Sequence, residues 1–299
     1  MPARGSRYPL LRLPLRTSRC GVTAPIAHAA MCFLQNNCCG LQQKVFASPG
    51  ISIFAQRHEA KDSIFFTMAT LTAQAQIPQA ALGFLKALKQ HNNKEWFDAH
   101  KDDFLQQQEH MAAFADTLLH NLSVHDVIET PSGKKSLMRI YRDIRFSKDK
   151  TPYKTNWAGG FRRAAKHRRG GYYFHIEPGN SFIGGGFWGP NADDLKRVRE
   201  DIAFDPVPLW KILNSKSFVT TFGILQGDQL KRVPAGFDNS HEAADLLRYK
   251  QFLLIRKFTD KEVLDKTFAQ EADKTYRHMR PFFDYMSEVL STGPNGSGL

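Results

Sequence analysis

Residues 172–186 read Tyr-Tyr-Phe-His-Ile-Glu-Pro-Gly-Asn-Ser-Phe-Ile-Gly-Gly-Gly, two short apolar runs on either side of Pro178-Gly179-Asn180. Aromatic and β-branched residues favour the pleated strand, and Pro, Gly and Asn each favour a tight turn. The stretch therefore predicts a β-hairpin, with strands at Tyr172–Glu177 and Ser181–Gly186, and hence antiparallel pairing. A strand period puts Tyr173, His175 and Glu177 on one face.

Reading outward, Trp157–Ala165 is a further strand with a basic end, and residues 166–171 form a charged turn into the hairpin. Tyr249–Phe258 is another strand, with Phe252, Leu254 and Arg256 at alternate positions. Helices lie to both sides. Ile77–Lys89 carries Pro78 in its first turn and an apolar stripe of Phe84, Leu85 and Leu88. Asn93 is the N-cap of a long helix reaching about Leu122, with Phe97, Phe104, Met111 and Leu118 recurring at helical spacing. Asn191–Ile202 and His241–Leu247 are shorter helices, and Pro206, Pro208 and Gly223 punctuate a less regular region between them. Thr259 caps a final helix over Asp260–Leu290. Strands in the middle and helices at the ends predict an α+β fold: a central, mainly antiparallel sheet with helices from both ends of the domain packed on it. One globular domain over 78–291 is expected, followed by a Gly/Ser-rich tail at 292–299.

Upstream of the sheet lies Ser136–Asn156, SLMRIYRDIRFSKDKTPYKTN, the most unusual stretch in the chain. Its first half alternates. Ile140, Arg142, Ile144 and Phe146 fall on one face, and Arg139, Tyr141, Asp143 and Arg145 on the other. This predicts a strand with one charged face, running into a turn at residues 147–150 and stopped near Pro152. Arginine holds phosphate or carboxylate through paired donors, and lysine adds point charge. Arg139, Tyr141, Arg142, Arg145, Lys148, Lys150, Tyr153 and Lys154 are the candidate ligand-binding residues. Asp143 and His175 are the candidate catalytic acid/base groups. Ordinary ion pairing on a sheet face is the competing reading of the same residues.

The formal net charge of +12 is unevenly spread. Residues 134–169 hold thirteen basic residues against two acids, and the rest of the body beyond residue 67 is mildly acidic. A charge island on an acidic body points to a local site rather than to diffuse polyanion adhesion.

Residues 1–67 differ in kind. All four cysteines, Cys20, Cys32, Cys38 and Cys39, lie there, and 1–58 contains no Asp or Glu beside several arginines. That composition fits a disordered leader or an upstream start with the body beginning at Met68 better than it fits the alternative, a mitochondrial transit peptide. A cysteine-free body suits the reducing cytoplasm. His28, Cys32, Cys38 and Cys39 lack the paired spacing of a zinc site, so no metal is predicted. No apolar run reaches the ~18 residues of a membrane span. Gly184-Gly185-Gly186-Phe187-Trp188-Gly189 matches G-x-G-x-x-G formally, but bulky Phe187 and Trp188 and the following Pro190 block a dinucleotide phosphate. P-loop, H-E-x-x-H, Gly-x-Ser-x-Gly and EF-hand signatures are missing from the sequence.

The body resembles the DUF2461 family, a domain of unknown function. The matching residues are Phe84-Leu85, the run Asn92 to Phe97, Arg139 to Lys154, Tyr173 to Pro178, Gly184 to Pro190, and Leu230 to Phe237. The resemblance spans roughly 80–290. It implies a soluble, single-domain protein and supplies no activity, cofactor or catalytic residue. Function is therefore read from the residues. A small phosphorylated or otherwise anionic ligand is the first expectation, because acid, tyrosine and histidine mix with the basic residues. A nucleic acid bound along the 134–169 track, or an acidic protein partner docked there, are the alternatives. Cofactor, reaction and oligomeric state are left open.

Overall fold

The computed structural model describes residues 76–164 and 169–291. The leader 1–67 with its four cysteines, Met68, residues 166–168 of the charged turn and the tail 292–299 lie outside the described residues. Within the described residues, the helices are α1 (Gln79–Gln90), α2 (Lys94–Ala99), α3 (Lys101–His125) and α4 (Gly133–Ser136), then α5 (Ala192–Phe204), α6 (Val207–Leu213) and α7 (Lys216–Phe222). They continue with α8 (Ala244–Leu247), α9 (Asp260–Val263) and α10 (Phe268–Ser291). The strands β1 (Trp157–Arg162), β2 (Gly171–Ile176), β3 (Ser181–Phe187) and β4 (Phe252–Phe258) form one antiparallel sheet in the order β1-β2-β3-β4. The fold is α+β, and no described helix is long and apolar enough to cross a membrane.

The strand period separates the two faces of the sheet. Tyr172, Phe174 and Ile176 of β2 are fully buried. Phe114 of α3 meets Phe174 edge-on at 5.7 Å, and Tyr276 and Phe283 of α10 meet Tyr172 at 5.0 and 5.1 Å. Aromatic rings bury roughly 150–250 Å² each, so this layer carries much of the packing energy. Gly185 lets α10 sit close to β3, because a Cβ there would stand 2.8 Å from both Met279 Sδ and Phe283 Cζ. The opposite face carries Tyr173, His175, Glu177, Phe182 and Ile255, all half-buried.

Caps form where the side chains allow them. Asn93, Asn191 and Thr259 each accept a backbone N–H from their helix, and Thr259 with Glu262 makes a reciprocal capping box. Four expectations need correction. The long helix from Asn93 is broken at His100, whose ring stacks on Trp96 at 4.0 Å. The final helix is likewise split, since the Asp265 side chain accepts the backbone N–H of Thr267 and restarts the chain at Phe268. The region around Pro206 and Pro208 is helical as α6 and α7.

The fourth correction concerns the basic stretch, which is not a strand of the sheet. Bridges join Leu137 to Gly159 and Tyr141 to Tyr153, with Arg142 N–H donating to Pro152 O at 2.9 Å and Lys154 N–H to Ile140 O at 2.8 Å. Residues 137–142 and 152–159 thus run antiparallel as a narrow arm off the outer edge of β1, where Ile128 also bridges Arg163. Regular pairing fails beyond Arg142 because side chains take the backbone donors. Asp143 accepts Arg145 N–H and Asp149 accepts Thr151 N–H. Short acidic side chains compete with a ladder in this way.

Candidate functional site

The arm is fixed at its root and open at its tip. The Asn92 amide donates to Tyr153 O at 2.9 Å and accepts Tyr153 N–H at 3.0 Å, as a neighbouring strand would. The Phe97 ring stacks on Tyr153 at 4.1 Å, and Lys154 Nζ donates to Arg139 O. Ile140 and Tyr153 are buried there. Asn92–Phe97 and the basic stretch, two separate motifs in sequence, are thereby one structural unit. Asn92 holds the arm while Asn93 starts the helix that supplies Phe97.

Beyond the root Tyr141, Asp143, Arg145, Phe146, Lys148 and Lys150 stand in solvent, while Arg142 and Ile144 are half-buried. Tyr141 is 54% exposed and Phe146, at the turn, 95%. Arg145 makes a two-pronged contact with Asp143, at 3.0 and 2.8 Å, and its guanidinium lies over the Phe146 ring. Arg142 bonds Asp149 and Thr151. Hydrogen bonds from Arg145 hold the Asp143 carboxyl below its ordinary range. Bonds from the Thr151 backbone, then from Arg142 and the Thr151 hydroxyl, bring Asp149 down to about 2. Both acids are therefore ionised at neutral pH, and each orients an arginine. Lys150 donates to Ile144 O. Among the described residues no carboxylate ion pair is made by Arg139, Lys148, Lys150 or Lys154. Burial, and then the nearby Arg139 charge, lower the Lys154 ammonium.

His175 lies apart from these cations, on the half-buried face of β2. Tyr173 OH and His175 Nδ1 are 3.2 Å apart, and His175 Nε2 and Glu177 Oε2 3.3 Å. Burial pushes the imidazole below its ordinary value despite Glu177, so it is neutral at pH 7. Burial raises the Glu177 carboxyl, but bonds from Asn180, His175 and Thr155 outweigh it, and the net shift is downward. The arm and this Tyr–His–Glu row touch at the bond from Thr155 Oγ1 to Glu177 Oε1, 3.2 Å long. The two candidate acid/base groups are not brought together: Asp143 bonds Arg145 on the arm, and His175 bonds Tyr173 and Glu177 on the sheet. Two clefts of about 360 and 340 Å³ share Phe258 and Glu262 near α9, and neither is lined by a predicted site residue.

The basic track does not continue as one surface. Arg162 is exposed and pairs with Glu129. Arg163 is 3% exposed, bonding Asp126 and Asp284 at 2.7 Å each, the Ser287 hydroxyl, and the Arg169 carbonyl. Tyr172 OH donates to the same Asp126. Arg169 bonds Asp194 of α5. Nothing near Arg163 in sequence marks it as buried, because its partners lie 37 and 121 positions away. The Asn92 clamp likewise escapes sequence reasoning, although Asn92 stands in one of the motifs that carry the family resemblance. No group of three His, Cys, Asp or Glu that could hold a metal occurs among the described residues.

A family model described as "Conserved hypothetical protein (DUF2461)" matches residues 80–285, more than half of the chain. No curated protein and no solved structure matches it.

Proposed function

We propose, from the premise that the chain belongs to the DUF2461 family of conserved hypothetical proteins, that the arm over residues 137–159 binds the phosphate backbone of nucleic acid. One observation carries this. Arg139, Lys148, Lys150 and Lys154 lack carboxylate ion pairs among the described residues, on an open arm whose turn presents Phe146 to solvent. An enclosed site would suit a small anion, whereas cations displayed along an arm suit charge repeated along a strand. Arg145, oriented by Asp143 and well exposed, keeps guanidinium donors for the same phosphates.

Anisotropy of a labelled single strand across salt tests the reading. About four to six phosphate contacts predict a slope of log affinity against log salt of about −3 to −4, at roughly 0.7 per contact. A flat salt response contradicts it. A second reading, a small phosphorylated ligand, draws support from the Thr155–Glu177 bond, which sets the Tyr173–His175–Glu177 row beside the arm's root. Under that reading nucleotides or sugar phosphates raise the melting temperature of the wild type but not of Arg139→Ala, and strands bind no better than monomers.

A further inference from the structure

We infer that the half-buried face of the sheet is a stacking platform for the unpaired bases of a single-stranded nucleic acid, continuous with the arm. This rests on the phosphate reading of the arm and names the form of nucleic acid that the site takes. Gly160, Tyr173, Gly184 and Ile255 lie in one row across the four strands, and Ala158, His175, Phe182 and Lys257 in the next. Tyr173 is thus flanked on both neighbouring strands by glycine. A Cβ on Gly160 would meet only the Tyr172 carbonyl, at 3.5 Å, with no side chain within 4 Å, whereas one on Gly184 would touch Phe182 and Ile255.

The rings on this face touch in sequence. Trp188 lies 5.3 Å from Tyr173, Tyr173 5.7 Å from Phe182, and Phe182 stacks on His175 at 4.8 Å. Trp188 is 42% exposed. The aromatics of β2 and β3 stand on the two central strands, and cations stand at both edges: Arg162 on β1, beyond Gly160, and Lys257 on β4. Arg162 pairs with the exposed Glu129, a surface contact that is easily exchanged. Aromatic centres with basic margins match a strand whose bases are splayed out and whose phosphates lie outside them. The arm extends the β1 margin through the Leu137–Gly159 bridge, so a strand crossing the platform towards β1 runs onto Arg139 and Lys154. A duplex keeps its bases stacked and offers this face nothing beyond its backbone.

The test compares a labelled single strand with an abasic strand of equal length and charge, using the full chain. Stacking predicts roughly tenfold or more tighter binding of the base-bearing strand, and quenching of Trp188 fluorescence by that strand alone. Tyr173→Leu and Phe182→Leu should each erase most of that preference while leaving abasic affinity and its salt slope unchanged. Equal affinity for the two strands overturns the platform and leaves the arm reading standing. Binding of neither strand overturns both. The wild-type comparison needs no variant to fold.

Discussion

Arg163 and Arg145 each lie against an aspartate, within one basic stretch of sequence, yet they do opposite things. Arg163 is sealed between α3, β1 and α10, and each nitrogen of its guanidinium has a partner among Asp126, Asp284, Ser287 and the Arg169 carbonyl. Arg145 has one acid, Asp143, and open water around it, its side chain 76% exposed. In the first place the charge is fixed by what surrounds it and serves the fold. In the second it remains available to something outside. Burial, and not the local density of arginine, separates the two roles.

Breaking the buried cluster should give the largest effect. Arg163→Ala takes from enclosed Asp126 its 2.7 Å partner and leaves Arg280 at 3.6 Å, and we expect a loss of about 3 kcal/mol, the low end for a broken buried pair, in denaturant unfolding. A loss below ~1 kcal/mol, in the range of an exposed pair, would erase the contrast with Arg145. Next comes the root of the arm. Asn92→Ala removes both bonds to the Tyr153 backbone and should cost about 1–3 kcal/mol. Hydrogen exchange should quicken in residues 140–154 first, and uniform quickening across the sheet would show that the arm is not held separately.

A pH dependence follows from the Tyr173–His175–Glu177 row. His175 is depressed in the fold, so the unfolded chain takes up its proton first as pH falls. Stability from this group is complete above its unfolded pKa of about 6.5 and is lost as pH falls from there through the folded pKa. Glu177, also depressed, adds a loss at lower pH, below its ordinary value of 4.5. Burial depresses His278 on α10 as well, and it contributes to the same window as His175. Melting temperature against pH should therefore flatten partly below about pH 6.5 in His175→Gln. An unchanged profile would mean that the imidazole is not held neutral in the fold. The smallest stability effect belongs to Arg145→Ala, within about 0.5 kcal/mol of the wild type.

The same contrast between local and distant partners governs how much could be read from residues alone. Caps at Asn93, Asn191 and Thr259 and the turn at residues 178–180 are local chemistry, legible because each cap and its target lie within three positions. The alternation of Ile140, Arg142 and Ile144 is also legible, and it survives as a more buried set against exposed Tyr141, Asp143 and Arg145. It does not reveal that the stretch leaves the sheet, because a two-stranded arm shows the same period as a strand within a sheet, and Phe146 breaks it at the turn. The clamp of Asn92 on Tyr153 spans 61 positions, and the contact of Arg163 with Asp284 spans 121. Long-range pairings of this kind leave no local trace.

Salt dependence tests the central claim most directly. With Arg139, Lys148 and Lys150 replaced together by alanine, the slope of log affinity against log salt for a single strand should become shallower by about 2, at roughly 0.7 per lost phosphate contact, while the melting temperature holds. The same slope in the wild type and the triple variant would contradict the assignment of phosphate binding to the arm.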